Sequence, residues 1–144
     1  MNTTHPASSA NGFLLIFRGT DWHAGLTPEQ MQQVANDWRA WYERLLRQGK
    51  VAGGNPLENR GKLVSGRGGR TVADGPFAES KEAVGGYFLL TVGTEAEAVA
   101  IAQQCPGLPH GAVVEVRPIA EICPVHRDAG AAAEAESPLA AARA

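Results

Sequence analysis

Apolar residues recur along the chain in two patterns, one typical of strands and the other typical of amphipathic helices. Residues 12–18 (GFLLIFR) and 86–92 (GYFLLTV) carry apolar side chains on both faces, as in strands that are covered on both sides. Between them, a stripe of apolar residues at spacings of three and four predicts a helix. The stripe consists of Met31, Val34, Trp38, Trp41 and Leu45, joined by Ala35 and Tyr42.

The first helix has a clear beginning and end in the sequence. Thr27 is a good N-cap, Pro28 suits the first helical position, and Gln30 stands where a capping box requires Glu or Gln. Gly49 ends the helix as a C-terminal glycine. The pattern therefore predicts one amphipathic helix between the capping box and this glycine.

The remaining elements are shorter. Strand-like segments cover residues 51–57, the two arms 62–65 and 71–73 of a hairpin around a glycine-rich turn, and 112–119. Thr94 and Glu97 form a capping box for a second helix that runs to about Gln104. The order of elements predicts an α+β fold, a ferredoxin-like antiparallel sheet with two helices on one face.

Two helices cover only one face of such a sheet, yet both faces are apolar. Leu14 and Ile16 alternate with Phe13, Leu15 and Phe17. An uncovered apolar face would be a large exposed apolar surface, which favours association. A second copy of the chain related by two-fold symmetry would cover it. We therefore expect a homodimer in which the two sheets face each other.

The last strand alternates between apolar and charged positions. Val114 and Val116 lie on one face, while Glu115 and Arg117 lie on the other. If the valines meet the helices, the charged pair points into the space between the sheets, where it must be paired or meet a ligand. The alternative is an edge strand with a solvated polar face, and alternation alone does not choose between the two.

Length and charge limit the class of protein. The chain of 144 residues predicts one domain over residues 12–120, with a disordered leader over 1–11 and an alanine-rich, mostly disordered tail over 121–144. The net charge of −2 indicates neither nucleic acid nor a membrane as a partner. The apolar run Phe13–Phe17 is too short for a membrane span or a signal peptide, which favours a cytoplasmic protein.

Cysteine and histidine form a spacing that superficially resembles a zinc site. The four residues are Cys105, His110, Cys123 and His126. Structural zinc ligands usually come as two tight pairs on rigid turns, whereas here one pair lies at a helix end and the other in the predicted tail. Cys105 is better explained as a small buried apolar residue. We expect neither a metal nor another cofactor.

Four stretches of the sequence resemble a known family. They are DGPFAESKE at 74–82, GYFLL at 86–90, Cys105-Pro106 and EVRPI at 115–119. Over about residues 12–120 the chain is similar to the DGPF-domain branch of the YCII-related family. The resemblance implies a dimeric α+β barrel built of ferredoxin-like units.

The resemblance also implies two kinds of function. Members of the wider family are thought to carry a His–Asp pair in a cleft, and a few act as lyases or dehydrochlorinases on small ring acids. In this chain the first helix has no histidine, and His23 in the preceding loop is the nearest one. DGPF-type proteins are often encoded beside sigma factors of the extracytoplasmic-function type, which implies a sensing or regulatory module as the alternative.

The candidate catalytic residues are Asp74 and His23, which would share acid–base work. The alternative for Asp74 is a turn role, because Asp before Gly-Pro bonds to nearby backbone amides. Trp22 and His23 lie in a loop, where functional groups often stand on a rigid scaffold, although a Trp packed on the sheet edge beside an exposed His is the plainer alternative. We expect these residues to bind a small anionic ligand in a cavity at the dimer interface.

The candidate substrate-binding residues supply aromatic surface or charge. They are Trp22, Phe77, Lys81, Tyr87, Glu115 and Arg117. Lys81 or Arg117 would orient an anionic substrate, with Arg117 holding it in bidentate fashion. The alternatives are a solvated Lys81 and an Arg117 that pairs with Glu115 of a neighbouring strand or subunit.

Overall fold

The structure, a computed structural model, describes residues 8–75 and 83–134, and side chains up to residue 130. The strands in these ranges are β1 (Phe13–Arg18), β2 (Val51–Pro56), β3 (Lys62–Ser65), β4 (Thr71–Asp74), β5 (Val84–Leu90) and β6 (Val113–Pro118). The helices are α1 (Pro28–Arg47), α2 (Glu95–Ala102) and α3 (Pro124–Glu134), with single 3₁₀ turns at Arg67–Gly69 and Leu108–His110.

The main sheet is four-stranded and antiparallel in the order β2-β5-β1-β6. In β1, Phe13 lies opposite Leu90 of β5 on one side and Pro118 of β6 on the other. This order, with a helix after β1 and another after β5, confirms the predicted ferredoxin-like α+β fold. The hairpin β3–β4 forms a separate two-stranded sheet.

Helix α1 begins where its capping residues predict. The Gln30 backbone N–H donates to Thr27 Oγ1 at 3.1 Å, and the Thr27 N–H donates to Gln30 Oε1 at 2.8 Å. Gly49 follows the helix with φ of 69°, a left-handed conformation that favours glycine. Local chemistry alone therefore accounts for both ends of the longest element.

The core lies on one face of the sheet, under the helices. Phe13, Leu15 and Phe17 of β1 are buried there and contact residues of α1 and α2. Trp41 and Leu45 are the large buried side chains of α1. Val114 and Val116 of β6 pack against the same core, as one of the two predicted orientations of this strand requires.

The opposite face of the sheet carries half-buried apolar residues and one ion-pair network. Leu14, Ile16 and Leu89 alternate with the buried set and are half-buried in the single chain. Beside them, Arg18 donates from Nε and Nη2 to Glu115 Oε1, at 2.9 and 2.6 Å. The charge of Glu115 is thus paired within the chain.

Several strand bounds differ from the prediction by one or two residues, and two of them lie beside glycines. β1 starts at Phe13 because Gly12 has φ of 85°, and a Cβ there would lie 2.1 Å from the Leu90 carbonyl oxygen. β5 starts at Val84, two residues before the predicted Gly86, since Val84 still pairs with Arg18 across a register shift. Glycines hide strand ends from a reading of periodicity, because they add no side chain to the pattern.

Both flanks of the predicted domain contain structured residues. In the predicted leader, the Ser9 N–H donates to the Gly93 carbonyl at 3.0 Å, and the Ser9 hydroxyl donates to the Ile119 carbonyl at 2.8 Å. In the predicted tail, α3 begins at Pro124 and runs to Glu134. Alanine is the strongest helix former and favours a helix in this segment.

Helices long and apolar enough to span a bilayer are absent from the ranges 8–75 and 83–134.

Candidate functional site

A cavity of about 710 Å³ lies between the first half of α1 and the helix-covered face of the sheet. Its volume falls within the range of about 300–1,000 Å³ that is usual for small-molecule sites. The β1–α1 loop closes one side, and the segment after β2 closes another. The lining residues are Phe17, Gly19, Thr20, Trp22, His23, Leu26, Met31, Val34, Ala35, Trp38, Arg39, Tyr42, Gly54, Asn55, Pro56, Leu57, Glu58, Asn59, Gly85, Gly86 and Phe88.

The apolar stripe of α1 explains why a cavity forms here. At the C-terminal end of the stripe, Trp41 and Leu45 are buried against the sheet. Towards the N-terminal end, Met31 remains 40% exposed and borders the cavity instead. The strands opposite contribute Gly54, Gly85 and Gly86, which have no side chain to fill the gap. Apolar surface is therefore left uncovered within the fold.

Aromatic rings form the inner wall of the cavity. Phe17 lies edge-on to Trp38 at 5.0 Å and to Phe88 at 4.9 Å between ring centroids. Tyr42 contacts Phe88 at 4.9 Å, and Trp22 lies nearly parallel to Trp38 at 5.9 Å. Such contacts lock aromatic rings in place, so the wall is preformed and suits a flat apolar ligand.

Polar groups are few and lie where the cavity meets solvent. His23, Arg39 and Glu58 are exposed side chains of the lining. Within the described side chains, Arg39 and Glu58 form no salt bridge. A guanidinium without a carboxylate partner at the edge of an apolar cavity is suited to the anionic end of a ligand.

Trp22 and His23 are the two predicted site residues that the structure places at this cavity. Their rings meet edge to face at 5.2 Å between centroids. The backbone reverses direction around them, with Ala24 N–H donating to the Asp21 carbonyl and Leu26 N–H donating to the His23 carbonyl. The loop therefore presents an indole and an imidazole side by side to the same space.

Asp74 lies elsewhere, on the β3–β4 hairpin. It is the last residue of β4, its side chain is 85% exposed, and it forms a salt bridge with Lys62 across the hairpin. It is not one of the residues that line the cavity. The structure thus brings His23, but not Asp74, to the aromatic cavity.

Tyr87, Glu115 and Arg117 lie on the opposite face of the sheet. The Tyr87 hydroxyl accepts from Asn55 Nδ2 at 3.4 Å, and Arg117 Nε lies 3.7 Å from Glu115 Oε2. The second contact joins two residues of the same strand, whereas the alternative to ligand binding for Arg117 was a pairing with Glu115 of a neighbouring strand or subunit. The remaining two predicted residues, Phe77 and Lys81, fall outside the described residues.

The cysteines and histidines do not gather into a metal site. In the part of the chain that the structure describes, no group of three or more His, Cys, Asp or Glu residues is placed to hold a metal ion. Cys105 and Cys123 are free thiols, the first buried and the second exposed. Burial raises the pKa of the Cys105 thiol, while hydrogen bonds from the backbone of Gly107 and Leu108 act in the opposite direction.

Several residues that line the cavity were not predicted as site residues, and the sequence marks them to different degrees. Trp38 was predicted as part of the apolar stripe of α1, and its ring faces both the core and the cavity. Arg39 follows Trp38 directly and therefore lies at the edge of the apolar stripe. A cation at this position borders the surface that the stripe covers. Glu58 follows the glycine-weakened strand, and nothing in the sequence marks it.

Comparison with known proteins gives a family assignment. A search of curated proteins finds no match to this chain. The family model of the YCII-related domain matches residues 13–122, which includes all six strands, α1 and α2. The chain therefore belongs to the YCII-related family.

Proposed function

We propose that the protein binds a small molecule that combines an apolar ring with an anionic group, in the cavity between α1 and the sheet. The observation that carries this proposal is the aromatic wall beside Arg39. Rings of Phe17, Trp22 and Trp38 offer flat apolar surface, and the cation stands at its edge. Sites of this kind usually combine such a wall with a few polar groups that fix ligand orientation.

His23 supplies an imidazole to the described part of the lining. Imidazole is the side chain that most often transfers protons in enzymes, so a ring acid bound beside His23 is placed for general acid–base catalysis. Among the described residues that line the cavity, Glu58 is the one carboxylate, and we assign to it the role that the sequence suggested for Asp74. We therefore propose His23 and Glu58, rather than His23 and Asp74, as the groups that exchange protons with a ligand.

The binding step is tested with salicylate and its uncharged analogue salicylamide, followed by quenching of tryptophan fluorescence. Trp22 and Trp38 line the cavity, so a bound ring changes their emission. We expect salicylate to bind more tightly than salicylamide, and Arg39→Gln to weaken salicylate binding about tenfold, as for a lost hydrogen bond to a charged group.

Arg47→Gln is the matched control, because Arg47 lies exposed on the same helix outside the cavity lining. Equal affinity of the wild type, Arg39→Gln and Arg47→Gln for salicylate would contradict the proposed role of Arg39. Asp74→Asn should bind salicylate as the wild type does.

Catalysis is tested by following the fate of a series of ring acids. If the site is catalytic, His23→Gln should lower turnover by about 10²- to 10⁴-fold while ligand still binds. Binding without turnover of any compound would favour the sensing module linked to a sigma factor, and specific capture of such a factor would then be sought.

A further inference from the structure

The turn between α2 and β6 packs against the outer side of the cavity wall. Its 3₁₀ segment, Leu108–His110, places the His110 ring nearly parallel to Trp22, with 6.3 Å between centroids and 14° between planes. Trp22 is in turn nearly parallel to Trp38, at 5.9 Å and 16°. His110, Trp22 and Trp38 thus share one ring orientation, although His110 is not among the cavity-lining residues.

Gly107, at the start of this turn, approaches both indoles closely. A Cβ at Gly107 would lie 3.1 Å from Trp38 Cζ3, 3.3 Å from Trp22 Cη2 and 2.9 Å from Ala112 Cβ. Its φ of −82° is one that any residue adopts, so backbone conformation does not explain the glycine. The absence of a side chain leaves room for the two rings.

Trp22 depends on these contacts because its own loop gives it little support. The neighbouring residues Asp21, His23 and Ala24 are exposed, and the backbone hydrogen bonds around Trp22 are local turns. The ring itself is half-buried and meets Trp38, His23 and His110. Among these partners, His110 is the one that comes from the second half of the chain.

We infer that His110 is a positioning residue for the cavity: with Gly107, it holds Trp22 parallel to Trp38 so that the aromatic wall stays formed. His110 acts through Trp22 and does not touch the ligand. The effect of His110 on ligand affinity rests on the proposed ligand-binding function. The position of the Trp22 ring, however, can be measured without any ligand.

Two tryptophans stacked at this distance couple their electronic transitions, which gives a couplet in the far-ultraviolet circular dichroism spectrum. Trp22→Phe defines how much of that couplet comes from Trp22, because Trp38 also contacts Trp41. The variants of interest are His110→Ala, which removes the ring, and His110→Phe, which keeps a ring in the same place. His126→Ala is the control, since His126 is exposed on α3.

We expect His110→Ala to lose the part of the couplet that Trp22 supplies and to weaken salicylate binding about two- to tenfold, the fold change that matches one aromatic contact. His110→Phe should restore both signals, and His126→Ala should change neither. Gly107→Ala, which drives a methyl group against both indoles, should alter the couplet even where His110 is intact.

The outcomes separate the two proposals. A couplet that is unchanged in both His110→Ala and Gly107→Ala would overturn the positioning role. A couplet lost in His110→Ala and restored in His110→Phe, in a protein that binds no salicylate, would support the positioning role and reject the proposed ligand class. If His110→Ala does not fold, a His110→Phe variant that lacks the couplet while retaining wild-type helix content overturns the inference.

Discussion

The two cysteines of the chain lie in contrasting surroundings. Cys105 is buried in the core, and burial raises the pKa of its thiol above the ordinary value of 9.0, whereas Cys123 is exposed. Thiolate is the reactive form, so a buried thiol with a raised pKa reacts slowly. Alkylation of the native protein with iodoacetamide at mildly alkaline pH should therefore modify Cys123 alone, as measured by intact mass.

Denaturation should make both thiols reactive, and native Cys123→Ser should take up no reagent. Alkylation of Cys105 as fast as that of Cys123 in the native protein would show that Cys105 is not buried.

The raised pKa of Cys105 also has a consequence for stability. Since the folded state favours the neutral thiol, the contribution of Cys105 is fully present below the ordinary pKa and is lost as the pH rises through the raised pKa of the folded state.

At the scale of single residues, sequence reasoning identified part of the candidate site. Trp22 and His23 stand out as an aromatic–imidazole pair in a loop, and the structure places both at the cavity. Asp74 stands out equally in the sequence, yet it pairs with Lys62 on the hairpin. Glu58 carries no local signal, and Arg39 is marked only by its place at the edge of the apolar stripe, because a cavity is a property of surfaces that meet only after folding.

At the scale of elements, the hairpin β3–β4 is the least supported part of the described fold. Leu63, Val64 and Val72 are exposed on it, and its strands pair only with each other. Isolated two-stranded hairpins are marginally stable. Hydrogen exchange should therefore be faster for the amides of β3 and β4 than for those of β1, which has a paired neighbour on each side.

Asp74→Asn removes the salt bridge with Lys62 and should speed exchange in the hairpin alone. Its effect on the free energy of unfolding should be at most about 1 kcal/mol, because the ion pair is exposed. Exchange of β3 as slow as that of β1 would instead mean that another surface covers the hairpin.

Element bounds were predicted well where a specific residue marks them. Thr27, Gln30 and Gly49 mark both ends of α1, and the structure contains the corresponding hydrogen bonds and the positive φ. The bounds were less accurate at Gly12 and before Gly86, where glycine conceals the alternation of strand residues. Helix α3 lies in the segment that was predicted to be mostly disordered.

At the scale of the whole molecule, the face of the sheet opposite α1 and α2 carries the expectation of a dimer. Leu14, Ile16 and Leu89 lie on this face, where neither α1 nor α2 packs. Contact with the same face of a second copy removes this apolar surface from water, and two-fold symmetry makes one patch serve both chains. Sedimentation at micromolar concentration should therefore give about twice the chain mass of 15.2 kDa.

Leu89→Arg places a charge at the centre of that face and should convert the dimer to a folded monomer. Val99→Arg is the control, because Val99 is a partly exposed residue of α2 on the other side of the sheet. A wild-type protein that sediments as a monomer would contradict the dimer, as would a Leu89→Arg variant that remains dimeric.

The position of β1 in the sheet also determines when the four-stranded sheet can form during synthesis of the chain. β1 is the first strand of the chain, yet it pairs with β5 and β6, which follow far behind it. Long sequence separations between paired strands slow folding, because the chain must close large loops before those strands come into contact. During synthesis, β1 and α1 therefore leave the ribosome without partners, and their apolar faces stay uncovered. His110 is made later still, after β5 and just ahead of β6, so Trp22 leaves the ribosome well before this ring partner does.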